Sequence, residues 1–497
     1  MHKKSIIRAT AILSSSSVIS ILLSLATAKI LALYLQPEGY GYYGLLQSFI
    51  AVAALIAGMG IPTAIVRMGA GAVERGDATA VANLRRAAWL LFVGLGTIAL
   101  LVVGLFRRPL SVFVLGTPDE GRTILLMSLA LLSTVAANVQ VGTLNAYHRV
   151  NALAKYAVAN TVLSSTMSIG AVLLWRLRGV PIGIVAGAIM TFLISRYFSY
   201  KEVGQLASTA TRSGTLEAAK SLLRFGVPYT ASMFVGTGVQ LALPMIVLHL
   251  LSPESVGYYR AAVAISVGYL GFLVTAMGQD YYPRVSAASN SPAALVELVN
   301  AQHRLVMLVA VPMILGTLAV IPYLVPIVYS AKFTPTINIL EWQLIGDIFK
   351  FASWTMSFAI LARSSTTVFF LIELAGGVIT LASTWVSVRF LGLTGLGVSF
   401  LVTYILYYAI VWVVIRREVP LVWTKRNKQM LLGGIAAAFI VRLLPSTSLA
   451  YLRTPIALAL AFAVGIPSAV VLWREFRGSG QASTEYTPLE EDIAVEV

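Results

Sequence analysis

Residues 35–44 read LQPEGYGYYG, and residues 251–260 read LSPESVGYYR. Six of the ten positions carry the same residue at an offset of 216: Leu, Pro, Glu, Gly, Tyr and Tyr. Proline ends one helix, glycine permits a close turn, and paired tyrosines commonly mark the start of a membrane span. The recurrence predicts that the chain contains two copies of one structural unit.

The first copy of this stretch also matches the dinucleotide-binding pattern G-x-G-x-x-G through Gly39, Gly41 and Gly44. Only Gly41 has a counterpart in the second copy, at Gly257. The fingerprint needs a strand before its glycines, and no strand pattern precedes either copy. The match therefore indicates a repeated turn and excludes a nucleotide site. A Walker motif is absent from the sequence, which excludes an ATPase site of that type.

The composition is that of an integral membrane protein. Of 497 residues, 58% are hydrophobic and only 11% are charged, and the mean hydropathy is +0.84. A soluble protein of this size needs far more charge on its surface. The net charge of +16 is interpreted as a bias of basic residues towards cytoplasmic loops, so no nucleic-acid partner is expected.

Apolar stretches of about 20 residues predict an all-α polytopic membrane protein with about 14 transmembrane helices. The stretches are 10–34, 42–66, 87–106, 123–147, 153–174, 182–198, 225–250, 258–280, 305–326, 341–362, 366–388, 395–415, 430–444 and 455–473. The thirteenth is the weakest of these because it is short and contains Arg442.

The repeated turn divides these helices into two sets of six. An even number of helices gives both sets the same orientation, so we expect parallel repeats that form a two-lobed, V-shaped transporter. The predicted parts are an N-lobe (1–198), a basic cytoplasmic linker (199–224), a C-lobe (225–417), two further helices (418–473) and an acidic tail (474–497). The distribution of Lys and Arg places both termini in the cytoplasm.

Ionisable and polar groups within or beside the spans are the candidate functional residues, since such groups are costly in lipid. Cations that could line a central cavity and bind phosphate are Lys29, Arg67, Arg149, Arg363 and Lys350. Polar or ion-coupling candidates are Asp280, Trp342, Gln343, Asp347 and Glu373. Each candidate also has a simpler role: extension of Lys29 to the interface, orientation of the helices by the arginines, and mutual neutralisation of Asp347 and Lys350 at i and i+3.

Neither a catalytic nor a metal-binding constellation is visible. The chain lacks cysteine, its four histidines have no metal-ligand spacing, and no nucleophile lies beside a base, so we expect no enzyme and no cofactor. Three alternatives to transport of a phosphate-bearing cargo remain: a cation-coupled multidrug exporter of the same fold, a membrane-bound transferase, and a scaffold for polymer-assembly enzymes.

Three segments carry a family resemblance. They are Lys332-Phe333-Thr334, the run Trp342-Gln343-Leu344-Ile345-Gly346-Asp347 with Lys350, and Lys29 followed by the Pro-Glu-Gly-Tyr-Gly turn. Together with Glu373 they resemble oligosaccharide flippases of the multidrug/oligosaccharidyl-lipid/polysaccharide (MOP) exporter superfamily. Among these, the chain is most similar to the O-antigen and lipid III (enterobacterial common antigen) flippases.

The resemblance implies a cargo and a place in the cell. It implies a polyprenyl-diphosphate-linked oligosaccharide, such as an undecaprenyl-diphosphate-linked repeat unit, moved from the cytoplasmic to the periplasmic leaflet of the bacterial inner membrane. Coupling to H⁺ or Na⁺ is expected, and a lipid II cargo is the alternative within the same group. A polysaccharide polymerase and a chain-length regulator are the protein partners that the resemblance suggests.

We expect Lys29→Ala and Arg149→Ala to lower export without unfolding the protein, because each removes a cation from the predicted phosphate-binding cavity. Surface polysaccharide of a deletion strain complemented with each variant measures export, and the level of the protein in the membrane checks folding. Normal surface polysaccharide in both variants would contradict the cationic cavity.

Overall fold

The computed structural model describes the backbone of residues 2–204, 209–364, 366–444 and 452–482. Side chains are described within these ranges from residue 19 to residue 473, apart from 267–270, 272, 274–276, 279 and 366. The helices are α1 (His2–Gly58), α2 (Ile61–Glu74), α3 (Ala78–Leu105), α4 (Arg107–Leu115), α5 (Gly121–Ala146), α6 (Val150–Trp175), α7 (Gly179–Val203), α8 (Arg212–Leu250), α9 (Pro253–Ala276), α10 (Tyr282–Ala287), α11 (Pro292–Val328), α12 (Thr336–Arg363), α13 (Thr366–Leu391), α14 (Thr394–Glu418), α15 (Lys425–Leu443) and α16 (Arg453–Ala482). These ranges contain no strand.

The all-helical multi-pass prediction is confirmed. Ten helical runs of the described residues are long and apolar enough to cross a membrane. Two of these runs each hold two helices: the run Ile19–Gly58 bends at Gln36, and the run Val150–Val203 contains α6 and α7. Helices α9 and α15 lie at the eighth and thirteenth predicted spans, so every predicted stretch overlaps a helix.

The second predicted span, 42–66, is wrong in one respect, because it is not continuous. The helix ends at Gly58, and α2 begins at Ile61 after Gly60, whose φ of 64° lies in the left-handed region. A Cβ added at Gly60 would lie 2.6 Å from the carbonyl oxygen of Gly226 on α8. Glycine therefore serves both the backbone reversal and the close approach of α8.

Helices α8 and α11 begin well before the apolar stretches that predict them. Helix α8 begins at Arg212 and α11 at Pro292, whereas the apolar stretches begin at 225 and 305. The extra turns are polar, so an apolar window misses them. Thr211 caps α8 through its hydroxyl, which accepts from the Gly214 amide at 3.2 Å. The predicted linker 199–224 is consequently helical outside 204–211, of which 205–208 lie outside the described residues.

The chain packs as two compact units. One comprises Met1–Gly268, Tyr323–Leu340 and Phe370–Phe400, and the other comprises Tyr269–Pro322, Glu341–Phe369 and Leu401–Val497. We call them unit 1 and unit 2. The lobe boundaries inferred from the repeat stay predictions, and residues 483–497 of the predicted acidic tail lie outside the described residues.

In unit 2, one buried carboxylate joins three helices. Glu341 of α12 pairs with Arg442 of α15, with its Oε2 2.9 Å from Nε, and with Arg453 at the start of α16. Side-chain exposures of 5%, 19% and 12% for Glu341, Arg442 and Arg453 mean that water screens these pairs little. The pairing explains how the thirteenth predicted span tolerates Arg442, because the charge is neutralised within the protein.

We expect Glu341→Gln to destabilise the protein strongly. It leaves two buried guanidinium groups without a counter-charge, and breaking a buried ion pair in this way costs about 3–5 kcal/mol. The unfolding temperature of the purified protein in detergent measures the effect. Asp280→Asn is the matched control, because Asp280 pairs with Arg284 where the side chains are 71% and 52% exposed. Equal unfolding temperatures for the two variants would contradict the anchoring role of Glu341.

Candidate functional site: a repeated turn and two cavities

The two copies of the repeated turn pack directly against each other within unit 1. A Cβ placed on Gly41 would lie 2.5 Å from the carbonyl oxygen of Pro253 and 2.8 Å from the amide nitrogen of Gly257. Reciprocally, a Cβ on Gly257 would overlap the carbonyl group of Pro37, with the carbon 2.7 Å away. Any side chain at either glycine would separate the backbones. The glycines of the repeat therefore allow the two copies to touch.

One position where the copies differ completes this turn contact. Gly44 of the first copy corresponds to Arg260 of the second, and a Cβ on Gly44 would collide with the Arg260 side chain. The Arg260 guanidinium donates to the Gly44 carbonyl and to the Ser48 hydroxyl, the latter at 2.8 Å. The difference is complementary, since the absence of a side chain at Gly44 makes room for the Arg260 side chain.

Aromatic rings pack behind the turn contact. Phe333 lies 5.8 Å from Tyr40, 6.2 Å from Tyr258 and 5.2 Å from Tyr329, measured between ring centroids. Phe333 is fully buried, and its neighbour Thr336 donates to the Tyr258 carbonyl at 3.3 Å. The Lys-Phe-Thr segment noted in the sequence therefore supplies the ring that contacts both copies of the turn.

Lys29 lies on α1, six residues before Leu35, where the first copy of the repeated turn begins. Its ammonium donates to the carbonyl of Ile327, in the last turn of α11. A cation at a helix C-terminus is favoured, because the last carbonyls lack intrahelical partners and carry partial negative charge. The Lys29 side chain is nevertheless exposed, so the hydrogen bond does not remove it from solvent or ligand.

Arg67 and Arg149 lie on other elements of unit 1 and are also exposed. The Arg67 guanidinium lies 4.9 Å from the ring centroid of Phe225, a cation–π distance. Arg149 immediately precedes α6 and occupies its N-cap position. Lys29, Arg67 and Arg149 thus have separate surroundings, and their shared role as a cation cluster stays a prediction.

Asp347 and Lys350 are brought together in unit 2, as their spacing predicts. The ammonium lies 3.4 Å from the carboxylate, Asp347 is fully buried, and Lys350 is 12% exposed. The ammonium also lies 5.0 Å from the ring centroid of Trp354 and 5.7 Å from that of Tyr404. Asp347 and Lys350 therefore form a neutral ion pair that lies beside two aromatic rings.

The remaining candidates of unit 2 have distinct environments. Trp342 lies beneath the Arg442 guanidinium, 5.1 Å from ring centroid to carbon, while the Gln343 amide is buried and has no hydrogen-bond partner among the described residues. Arg363 donates to the Ser289 carbonyl and approaches Glu418 at 3.8 Å. Asp280 pairs with Arg284 at the surface.

Glu373 belongs to unit 1 and is exposed on α13, one residue before Leu374, which lines an apolar groove. The groove has a volume of about 780 Å³. Its walls are apolar side chains of α1, α3, α4, α5, α8 and α13, including Phe49, Leu95, Phe113, Phe234, Val239 and Val378.

A second cavity of unit 1 has the opposite chemistry. It measures about 380 Å³ and is lined by hydroxyl and amide side chains of α1, α5, α6 and α7: Ser24, Thr27, Tyr40, Tyr43, Gln47, Thr134, Thr161, Ser164, Ser165, Ser168 and Thr191. Its other lining residues are Ala28, Leu31, Ile50, Ile184, Gly187 and Ala188, so no charged side chain lines this hydroxyl cavity.

Sequence reasoning missed Arg260 and most of the hydroxyl cavity. Arg260 lies inside the second copy of the repeated turn. The signal that could have identified it is the replacement of Gly44 by arginine at the corresponding position. Ser24 belongs to a serine-rich stretch of α1, and Thr161, Ser164, Ser165 and Ser168 of α6 have the i, i+3, i+4 and i+7 spacing of one helix face, which is the signal that the sequence offers. Their placement depends on how α6 and α7 pack against α1.

The fold is that of an all-helical, multi-pass membrane protein. Solved structures with this fold include two transporters. Lipid II flippase MurJ in an inward closed conformation has a TM-score of 0.70 at 13% identity, covering 93% of this chain and 99% of that chain. An inward-facing multidrug resistance MATE family transporter of the MOP superfamily has a TM-score of 0.61 at 17% identity, covering 85% and 98%.

Sequence comparison identifies the family more closely. The family model described as "Polysaccharide biosynthesis protein" matches residues 30–338, and the chain belongs to this family. Lipid III flippases of Escherichia coli (strain K12) and Shigella flexneri are each 20% identical over 405 residues, covering 80% of this chain and 95% of each relative. These findings confirm the resemblance inferred from the repeated turn and the segment 332–350.

We expect Gly257→Ala to hold the two turns apart, because its methyl group would occupy the space of the Pro37 carbonyl. A cysteine at Ser48 reports the change, since the natural chain has no cysteine and Ser48 is buried beneath Arg260. Maleimide labelling should rise several-fold in Gly257→Ala. Gly94→Ala is the control, because a Cβ there meets nothing within 4 Å. Unchanged labelling in Gly257→Ala would contradict the conclusion that the close glycine contact keeps Ser48 buried.

Proposed function

We propose that this protein is a flippase that moves a polyprenyl-diphosphate-linked oligosaccharide from the cytoplasmic to the periplasmic leaflet of the inner membrane by alternating access. The repeat unit of a surface polysaccharide, such as O-antigen, is the proposed glycan. Coupling to H⁺ or Na⁺ supplies the driving force in this proposal. The protein itself carries the cargo and performs no covalent chemistry on it.

The observation that carries the proposal is the apolar groove of unit 1. Ligand pockets in proteins usually measure about 300–1,000 Å³, so a groove of about 780 Å³ accommodates a substantial part of a polyprenyl chain. A wall of Phe, Leu, Val and Ala side chains suits that chain, because each buried CH₂ gains about 0.8 kcal/mol on leaving water. The same wall offers nothing to a charged or strongly polar ligand.

The polar and apolar parts of the proposed cargo need different surroundings during transport. A sugar head and a diphosphate cannot cross hydrocarbon unaided, since stripping water from polar and charged groups without replacement is prohibitive. The polar parts therefore need a hydrated path inside the protein, while the prenyl chain needs an apolar surface. Exposed cations such as Lys29 and Arg149 are suited to attract the diphosphate on the way.

The relatives support this cargo. The family description concerns polysaccharide biosynthesis, and the curated relatives are lipid III flippases. A multidrug exporter is the main alternative, because the MATE fold is shared. Binding of cationic drugs calls for acidic side chains, and the linings of the apolar groove and of the hydroxyl cavity contain none. Lipid II remains the alternative cargo within the glycan class.

We expect Val378→Trp to slow transport at least about ten-fold by filling the apolar groove. The measurement is leaflet exchange of a fluorescent undecaprenyl-diphosphate oligosaccharide in proteoliposomes that contain the purified protein. Val386→Trp is the matched control: it lies on the same helix, is 44% exposed compared with 59% for Val378, and is not part of the groove.

Three outcomes would decide against parts of the proposal. If the natural protein does not accelerate exchange, the flippase function is wrong. If both tryptophan variants slow exchange equally, the groove does not hold the prenyl chain. If a deletion strain keeps normal surface glycans and becomes drug-sensitive, the multidrug alternative is favoured.

A further inference from the structure

We infer that the hydroxyl cavity of unit 1 is a binding site for neutral sugar residues of the transported glycan. This inference rests on the proposed flippase function and assigns one part of the cargo to one site. It is distinct from the predicted cationic residues, which would contact the diphosphate, and from the apolar groove, which would contact the prenyl chain.

The cavity is uncharged and rich in hydrogen-bond acceptors. Thr27, Thr161 and Ser164 donate their hydroxyl protons to the carbonyl oxygens of Leu23, Ala157 and Asn160 at 2.8, 2.9 and 2.6 Å. A hydroxyl that donates inside its own helix keeps its lone pairs free. The lining therefore offers oxygen acceptors to a ligand that donates, which is the chemistry of sugar hydroxyl groups.

The first repeated turn contributes a donor and an aromatic wall. Tyr43 accepts a hydrogen bond from the Gln47 amide at 3.0 Å, so its own proton is available to a ligand. The rings of Tyr40 and Tyr43 are stacked with centroids 6.3 Å apart. Aromatic rings that combine an apolar face with a hydroxyl handle suit a sugar ring, which has C–H faces and a hydroxyl rim.

Size and charge exclude the other ligand classes. The lining has no Lys or Arg to hold a diphosphate and no Asp or Glu to hold a cationic drug. Calcium sites usually include carboxylate oxygens at about 2.3–2.6 Å from the ion, and this lining has no carboxylate. The volume of about 380 Å³ falls in the range of small-molecule pockets.

The test compares two lipids that differ only in the sugar. Full-length protein in nanodiscs is titrated with undecaprenyl diphosphate that carries one N-acetylglucosamine and with sugar-free undecaprenyl diphosphate. The double variant Thr161→Val/Ser164→Ala removes two cavity hydroxyls. We expect about ten-fold weaker binding of the glycosylated lipid and unchanged binding of the sugar-free lipid.

The matched control is Thr166→Val. Thr166 belongs to the same helix and donates to the Val162 carbonyl at 2.8 Å, as Thr161 does within its own turn, but it is exposed and does not line the cavity. It should leave the affinity for both lipids unchanged. A loss equal to that of the double variant would show an effect on the helix and overturn the inference.

The remaining outcomes separate the inference from the function on which it rests. If the natural protein binds both lipids equally, or the double variant weakens both equally, the sugar site is overturned while the flippase proposal stands. A loss of Na⁺ dependence without a loss of sugar discrimination would identify a cation site and overturn the inference. If the natural protein binds neither lipid, the proposed function fails, and the inference fails with it.

Discussion

The contact between Gly41 and the segment around Gly257 is the constraint on which the architecture of unit 1 depends. Two backbones meet with no side chain between them, so the position of each copy of the turn is fixed by the other. Buried backbone groups at such a contact still need partners. Arg260 provides them on one side by donating to the Gly44 carbonyl and to Ser48. The two similar turn segments therefore form a specific, asymmetric contact.

Charge in this protein is tolerated where the fold neutralises it. Glu341 with its two arginines, and Asp347 with Lys350, place ionised groups in buried surroundings of unit 2. Each group is paired, which is the condition under which a low-dielectric interior accepts charge. Lys29 and Arg149 are different, because they stay exposed on unit 1. Paired charges are therefore tolerated in the interior, and exposed cations remain suited to an anionic ligand.

Sequence reasoning succeeded where a feature is local or repeated. Hydropathy located the helices because lipid requires long apolar segments, and the i, i+3 spacing of Asp347 and Lys350 predicted their pairing. It failed where a feature depends on distant packing. Gly60 interrupts a predicted span because α8 approaches it, and Arg442 finds its partner 101 positions earlier, at Glu341. The hydroxyl cavity gathers side chains from four helices, and the helical spacing of its α6 residues does not tell which helices pack against that face.

The hydroxyl cavity and the repeated turn share residues, and this gives a ligand a way to act on the turn. Tyr40 and Tyr43 line the cavity, while Tyr40 also packs against Phe333 and Tyr329 behind the turn contact. A ligand shifts a conformational equilibrium only as far as it binds one state better than the other. Sugar residues seated against these rings would contact the turn only while the rings keep this arrangement. Under the proposed function, occupancy of the cavity would favour one packing of the turn and would couple recognition of the glycan to its transport.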